Sequence, residues 1–207
     1  GVGSGNAGLG CYSWGCGYVA LGTLTIDGGK VLTNTATGNF SQLGWAGFGP
    51  FNVALANGSS IVNEGTWTLG NGNVNLGAGT AAATGFTNTG TLQTGLTTTD
   101  WYGGRGSGGA VNVALVNAGT VNAAVGTLTL AGTGTYTHSG IFNSASGATI
   151  NFSAGNHTLS GVTAITGAGT ITFSGAGTNS ITGSVTTGSI GFGAGANSVT
   201  GNVVASS

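Results

Sequence analysis

The stretch ITFSGAGTNSITG (171–183) decides how this chain is read. Ile171 and Phe173 alternate with Thr172, a Gly-rich corner follows, and Ile181 stands among small polar residues. Two further stretches repeat the plan: INFSAGNHTLSG (150–161) and IGFGAGANSVTG (190–201). Each opens Ile-x-Phe, passes a Gly/Ala corner and a polar pair, and reaches an aliphatic residue followed by Ser/Thr-Gly. The starts lie 21 and 19 residues apart. A period near ~20 residues marks a solenoid, in which each unit buries its apolar face against the next.

Alternation supplies the geometry, because side chains in a strand point to opposite faces with period two. Stacked coil on coil, Ile150, Ile171 and Ile190 form one inward column, and Phe152, Phe173 and Phe192 a second. Leu159, Ile181 and Val199 form a third on another side, while Asn, Thr and Ser fill the outward columns. In this reading His157 shares the outward site of Asn179 and Asn197, and His138 aligns with inward Leu159. Weaker copies run through the chain as Gly-Thr-Φ-Thr-Φ: GTLTI (22–26), GTWTL (65–69), GTLTL (126–130) and GTITF (169–173). The NVAL of 52–55 recurs 60 residues later at 112–115, an offset that three such coils would give, and YVAL (18–21) reads as a truncated copy. The expectation is an all-β chain: a single-stranded parallel β-helix (β-solenoid) of about ten coils with a ~20-residue period, forming one domain over 1–207. Residues 1–18 read as a Gly/aromatic-rich arm and 19–204 as coils. At ~4.8 Å per layer the rod would be on the order of 50 Å long.

Composition narrows the function classes. The 207 residues include 46 Gly, only 2% are charged, and the net charge is −1. Two basic residues, Lys30 and Arg105, cannot neutralise a phosphate backbone, so nucleic acid is excluded as a partner. They cannot build a polybasic membrane patch, and no apolar run reaches the ~18 residues of a membrane helix. Strands this short do not suit a membrane barrel, whose strands need ~9–11 residues. Disordered linkers do not hold Ile, Phe and Leu at fixed rung positions, and an ordinary β-sandwich does not account for the period. The sequence begins with Gly1 and reads as a mature or excised segment.

Three segments break the repeat and gather aromatics: CYSWGCGY (11–18), FSQLGWAGFGPF (40–51) and DWYGGRGSGG (100–109). They are read as loops, and Trp14, Tyr18, Trp45, Phe48, Phe51, Trp101 and Tyr102 become candidates for a subunit contact or for stacking on glycan. The alternative is that they cover apolar strand residues. Cys11 and Cys16 are spaced for a local disulfide, which suits an oxidising, extracellular setting, or for two buried thiols. Asp27 with Lys30 and Asp100 with Arg105 are candidate loop ion pairs. Catalysis is poorly supported: Asp27, Glu64 and Asp100 are dispersed, whereas glycosidases need two carboxylates at one bond. His138 and His157 lie about one coil apart in different local frames, and no nucleophile triad or zinc set is evident. Neither an enzyme nor a cofactor or metal is expected.

The Gly-Thr-Φ-Thr-Φ units and SGIFNSASGATINFS (139–153) resemble the repeat regions of secreted bacterial surface proteins of the filamentous-haemagglutinin-like and autotransporter-adhesin type. GTLTLAGTGTYTHSGIFNSASGATINFS (126–153) is the most similar part. The resemblance implies a right-handed parallel β-helix, export to the cell surface, and a role in fibres or adhesion. GNVVASS (201–207) is strand-like and uncharged, and the sole proline, Pro50, lies far inside, so neither end carries the charge or proline that blunts a strand edge. The expected function is therefore a structural subunit of an extracellular filament, sheath or matrix fibre, joined head to tail with itself by strand stacking. The alternatives are an adhesin stalk or tip that binds cell-surface glycans through Trp45 and Trp101, and an ice-binding face built on Thr127/Thr129 and Thr170/Thr172, interrupted by Asn151 and Gly191.

Overall fold

The computed structural model describes residues 9–12, 15–18, 22–43, 51–70, 72–77, 85–95 and 108–205, with only the backbone described in 9–12 and 15–18. From Gly22 onward the described residues form a parallel β-solenoid with no helix. Three short strands make each coil, and strands three places apart along the chain pair in parallel, with one break on face two, which gives the rod three faces.

Face one stacks Gly22–Ile26, Phe51–Leu55, Asn73–Leu76, Gly108–Val111, Thr127–Leu130, Thr149–Phe152, Thr170–Phe173 and Ser189–Phe192. Face two stacks Val31–Asn34, Ser60–Asn63, Gly85–Asn88 and Ala114–Asn117 as one sheet, then Thr135–His138, Asn156–Leu159, Thr178–Ile181 and Ala196–Val199 as another. Face three stacks Asn39–Leu43, Thr66–Gly70, Thr91–Thr94, Thr120–Ala123, Ile141–Ser144, Thr163–Thr166, Ser184–Thr187 and Val203–Ala205. The described residues therefore hold eight coils rather than about ten: 22–43, 51–70, 73–94, 108–123, 127–144, 149–166, 170–187 and 189–205. From the fourth coil onward successive starts are 19–22 residues apart, while the second and fourth coils begin 29 and 35 residues after their predecessors. Longer connections in the first half of the chain account for the lower number.

The inward columns fall where alternation puts them. Ile150, Ile171 and Ile190 are in register, as are Phe152, Phe173 and Phe192. Leu159, Ile181 and Val199 align on face two. The phenyl rings stack, with centroids 4.5 Å apart for Phe152–Phe173 and 5.5 Å for Phe173–Phe192. Face three contributes buried Trp67, Leu92, Val121, Phe142, Ile165 and Val185 in one column. Most residues of these columns thus meet another apolar side chain in the neighbouring coil, which favours dense packing and cross-strand contact.

Some expectations need correction. The two NVAL segments do not occupy equivalent places: Phe51–Leu55 lies on face one, whereas Ala114–Asn117 lies on face two. GTWTL likewise supplies a face-three strand, while GTLTI, GTLTL and GTITF supply face-one strands. A four-residue alternating motif fits any side of such a coil, so local likeness does not fix the face. The aromatic segment 40–51 is not all loop, because Asn39–Leu43 and Phe51–Leu55 are strands. Gly108–Val111 is also a strand, and the arm contains an antiparallel hairpin, Leu9–Tyr12 with Gly15–Tyr18.

The corner between faces two and three is built on glycine. A Cβ at Gly65, Gly90, Gly119, Gly140, Gly183 or Gly201 would overlap a main-chain carbonyl oxygen of the preceding coil. The chain passes too close to its neighbour there for any side chain. Substitution Gly119→Ala is expected to destabilise the rod by about 1–3 kcal/mol, the usual cost of forcing extra volume into a packed site. Urea unfolding followed by circular dichroism checks this, with Gly147→Ala as a useful contrast. Gly147 has open space for a Cβ but a φ of 78°, so its cost would come from backbone strain alone.

Candidate functional site

The Gly corner leaves the ends of the face-two strands close to the carbonyl groups of the turn. Asn34, Asn63, Asn88 and Asn117 occupy the last position of four successive face-two strands and point inward. Their carboxamides form a ladder: Asn34 Nδ2 donates to Asn63 Oδ1 at 2.7 Å, Asn63 to Asn88 at 2.7 Å, and Asn88 to Asn117 at 2.8 Å. Each amide also fastens the corner. Asn63 Nδ2 donates to the carbonyls of Gly65 and Thr91, and Asn88 Nδ2 to those of Gly90 and Thr120. Because a carbonyl only accepts, these contacts fix which end of each amide is nitrogen.

The polar column then changes lane. His138, the next residue at the corner, takes the Asn117 backbone N–H on Nδ1 at 3.2 Å. Its Nε2 lies 3.0 Å from Nδ1 of His157, which sits one inward position earlier on its strand. His157 Nε2 reaches the Ala154 carbonyl at 2.8 Å. Beyond it the His157 amide donates to Asn179 Oδ1 at 3.3 Å, and Asn179 Nδ2 to Asn197 Oδ1 at 2.8 Å. His138 therefore aligns with Leu159, and His157 with Asn179 and Asn197, as the repeat implies. The outward placement of His157 and Asn179 does not hold, because both are buried, whereas His138 is buried as its alignment with inward Leu159 implies. The different frames of the two histidines bring the rings together rather than apart. They stack at 5.3 Å, with Phe142 edge-on to His138 and Phe152 edge-on to His157.

Burial pushes the His138 pKa down to about 3, helped by the charge that His157 would carry. Burial also lowers that of His157, while its bond to Ala154 pulls the other way. Tyr136, in line with His157, is raised by burial, and its hydroxyl donates to the Thr133 carbonyl. No buried side-chain nitrogen or oxygen among the described residues lacks a hydrogen-bond partner.

A second, smaller polar element lies on face three. Gln42 Oε1 accepts from Trp67 Nε1 at 2.7 Å, while its Nε2 donates to the Phe51 and Asn73 carbonyls. Phe40 stacks on Trp67 at 4.0 Å. Outside the rod, Asn143 donates to Asn122 and accepts from Thr166. On face one, Thr127, Thr149, Thr170 and Ser189 form one outward column and Thr129, Asn151, Thr172 and Gly191 the next. The threonine array is thus interrupted by Asn151 and Gly191, as the sequence indicates.

The remaining candidates separate as follows. Trp14, Trp45, Phe48, Asp100, Trp101, Tyr102 and Arg105 lie outside the described residues. Cys11 and Cys16 are Cα partners in the hairpin, and their side chains, with that of Tyr18, also lie outside what is described. Phe51 is half-buried, packed against the core 6.4 Å from Phe40. The Asp27 carboxylate takes the Gly28 amide and Asn57 Nδ2, each at 2.6 Å, pinning the turn at Asn57–Gly58, and Lys30 is exposed nearby. Glu64 is exposed at the corner. Among the described residues no group of three or more metal-ligating side chains gathers. The sequence reading missed the column of Asn34, Asn63, Asn88 and Asn117, although NEG (63–65), NTG (88–90) and NAG (117–119) share a signal with HSG (138–140). Each places an amide or imidazole two residues before a corner glycine.

No protein-family model matches the chain, and comparison with curated proteins and with solved structures finds no match either.

The internal column gives an asymmetric expectation. Asn88→Ala removes the link between Asn63 and Asn117 and leaves buried polar groups without it, at a cost of at least about 2 kcal/mol. Asn122→Ala, on the outer ladder, should cost less than about 0.5 kcal/mol. Urea midpoints of the two variants test the difference.

Proposed function

We propose that this chain is a structural rod: a subunit of an extracellular filament, sheath or matrix fibre that lengthens by main-chain pairing between coils of neighbouring copies. The observation that carries this reading is the edge of the eighth coil. Ser189–Phe192, Ala196–Val199 and Val203–Ala205 each end a sheet and pair with one neighbour only among the described residues. Phe192, Val203 and Val204 are 42%, 45% and 48% exposed there. An open strand edge with apolar side chains is a template for another strand.

A second copy would offer the opposite edge, formed by Gly22–Ile26, Val31–Asn34 and Asn39–Leu43, each of which also ends a sheet. Continued in register, Phe192 would meet Leu24 and Val203 would meet Phe40. Face two fits less well, since Asn197 would meet Leu32 and Val199 would meet Asn34. The junction is therefore weaker than an internal coil boundary, which suits assembly that depends on concentration. Head-to-tail contact without ring closure gives filaments. The near absence of charge supports the same reading, because three faces of hydroxyl and amide groups repel neighbouring rods little. The resemblance to secreted bacterial surface repeats adds the cell exterior as the place of action.

Sedimentation velocity and negative-stain imaging at micromolar concentration test the proposal. Rods longer than one chain are expected, and the double variant Phe192→Lys/Val203→Lys should return them to monomers that keep the strand-rich circular dichroism of the unaltered chain. Compact monomers of the unaltered chain at every concentration overturn it. Monomers that bind a glycan array and lose that binding on Trp45→Ala or Trp101→Ala would favour the adhesin alternative.

A further inference from the structure

The two histidines stand where the main-chain ladder of face two is broken. The sheet that ends with Ala114–Asn117 and the sheet that begins with Thr135–His138 are separate. The Asn117 N–H, at the end of the first, bonds not to a strand carbonyl but to the imidazole of His138. The main chain still crosses here at one point, since the Ser139 and Gly140 N–H groups donate to the Asn117 carbonyl at 3.0 and 3.1 Å, and the imidazole completes a junction that the strand ladder leaves partial.

The proton positions in this bridge follow from its ends. A backbone N–H only donates, so Nδ1 of His138 is bare and its proton is on Nε2. A carbonyl only accepts, so His157 carries its proton on Nε2, facing Ala154, and Nδ1 is bare. The two assignments, made from opposite ends, agree on the middle bond: His138 Nε2–H donates to His157 Nδ1. Both rings are neutral and all four ring nitrogens are engaged. No nitrogen can take another proton without loss. On His138 it would face the Asn117 N–H, and on His157 it would face the His138 N–H.

Among the described residues, no charged or acidic side chain nearby would stabilise an added charge; the Ala154 carbonyl is the one group that favours it, and burial outweighs that. The strands packed on the pair are Ala114–Asn117, Ile141–Ser144, Thr149–Phe152 and Thr178–Ile181, and none contains a charged or acidic residue. The contacting rings are Phe142, Phe152 and Tyr136, and the Tyr136 phenol is the sole further titratable group among them.

We propose that the His138–His157 pair is an acid-labile joint: neutral, it seals the seam between the two sheets of face two, and one added proton opens that seam while the asparagine-laddered coils before it stay closed. The direction follows from linkage. Both imidazoles are harder to protonate folded than unfolded, so their contribution is complete above the unfolded value near ~6.5 and is lost as pH falls below it. For His138 the loss continues down to about 3.

Amide hydrogen exchange of the full chain at about pH 7.5 and about pH 4.5, corrected for intrinsic rates, tests this. Protection of the Asn117 amide is expected to fall at least roughly tenfold more than that of Ile61, in the laddered half. The double variant His138→Asn/His157→Asn replaces both imidazoles with groups that do not titrate, and the selective fall should vanish. Nitrogen-15 spectra of the unaltered chain give a second readout that needs no variant: both rings should be Nε2–H tautomers at neutral pH and remain neutral well below ~6.5. Equal protection of Asn117 at both pH values, an undiminished selective fall in the double variant, or rings that titrate near ~6.5 would each overturn the proposal.

Discussion

Every choice in this rod is constrained by one fact: each residue lies a single strand spacing, ~4.8 Å, from its counterpart in the next coil. A side chain at a given rung must tolerate something like itself above and below. Phenyl rings satisfy this by stacking, as Phe152, Phe173 and Phe192 do. Aliphatic groups satisfy it by nesting, and carboxamides by donating to one neighbour while accepting from the other. Charged groups fail, because like would face like at close range. The scarcity of Asp, Glu, Lys and Arg agrees with that rule. The few charges described, such as Asp27 and Glu64, stand at turns, where the stacking rule lapses.

The same rule explains why a buried polar column is tolerated. An inward asparagine is costly alone, but in a column each amide finds its partner in the next coil and takes main-chain carbonyls at the corner. The glycine column and the asparagine column are two parts of one device. Glycine lets the chains approach at the bend, and the amides add a second hydrogen bond to corner carbonyls that already accept a main-chain N–H. Where the column changes lane, two imidazoles do the same work with a reach that carboxamides lack.

Much of this was legible in the residues, and the limits are physical. Coils six to eight could be aligned by eye, since Ile-x-Phe and the terminal aliphatic recur with little variation, and those columns stand as read. The earlier coils were harder, because longer connections break the period and because a short alternating motif fits any face. The two NVAL segments illustrate the point, as identical residues lie on different sides of the rod. Burial of Asn63, Asn88, Asn117 and His157 ran against the ordinary expectation that amides and imidazoles face water. Only the recurring step from a polar residue to a corner glycine marked the three asparagines, and His157 lacks even that sign. The hydrogen bond between the two histidines depends on a shift between columns that no single repeat displays.

The amides of Asn34, Asn63 and Asn88 each pass their hydrogen bond toward the following coil, and main-chain carbonyls lock them in that sense. On the outer surface, Asn112 and Asn143 donate the other way, toward the preceding coil. The shaft is therefore vectorial inside: the buried row of carboxamides and the outer amides run in opposite senses, so the two directions along the rod axis are chemically distinguishable.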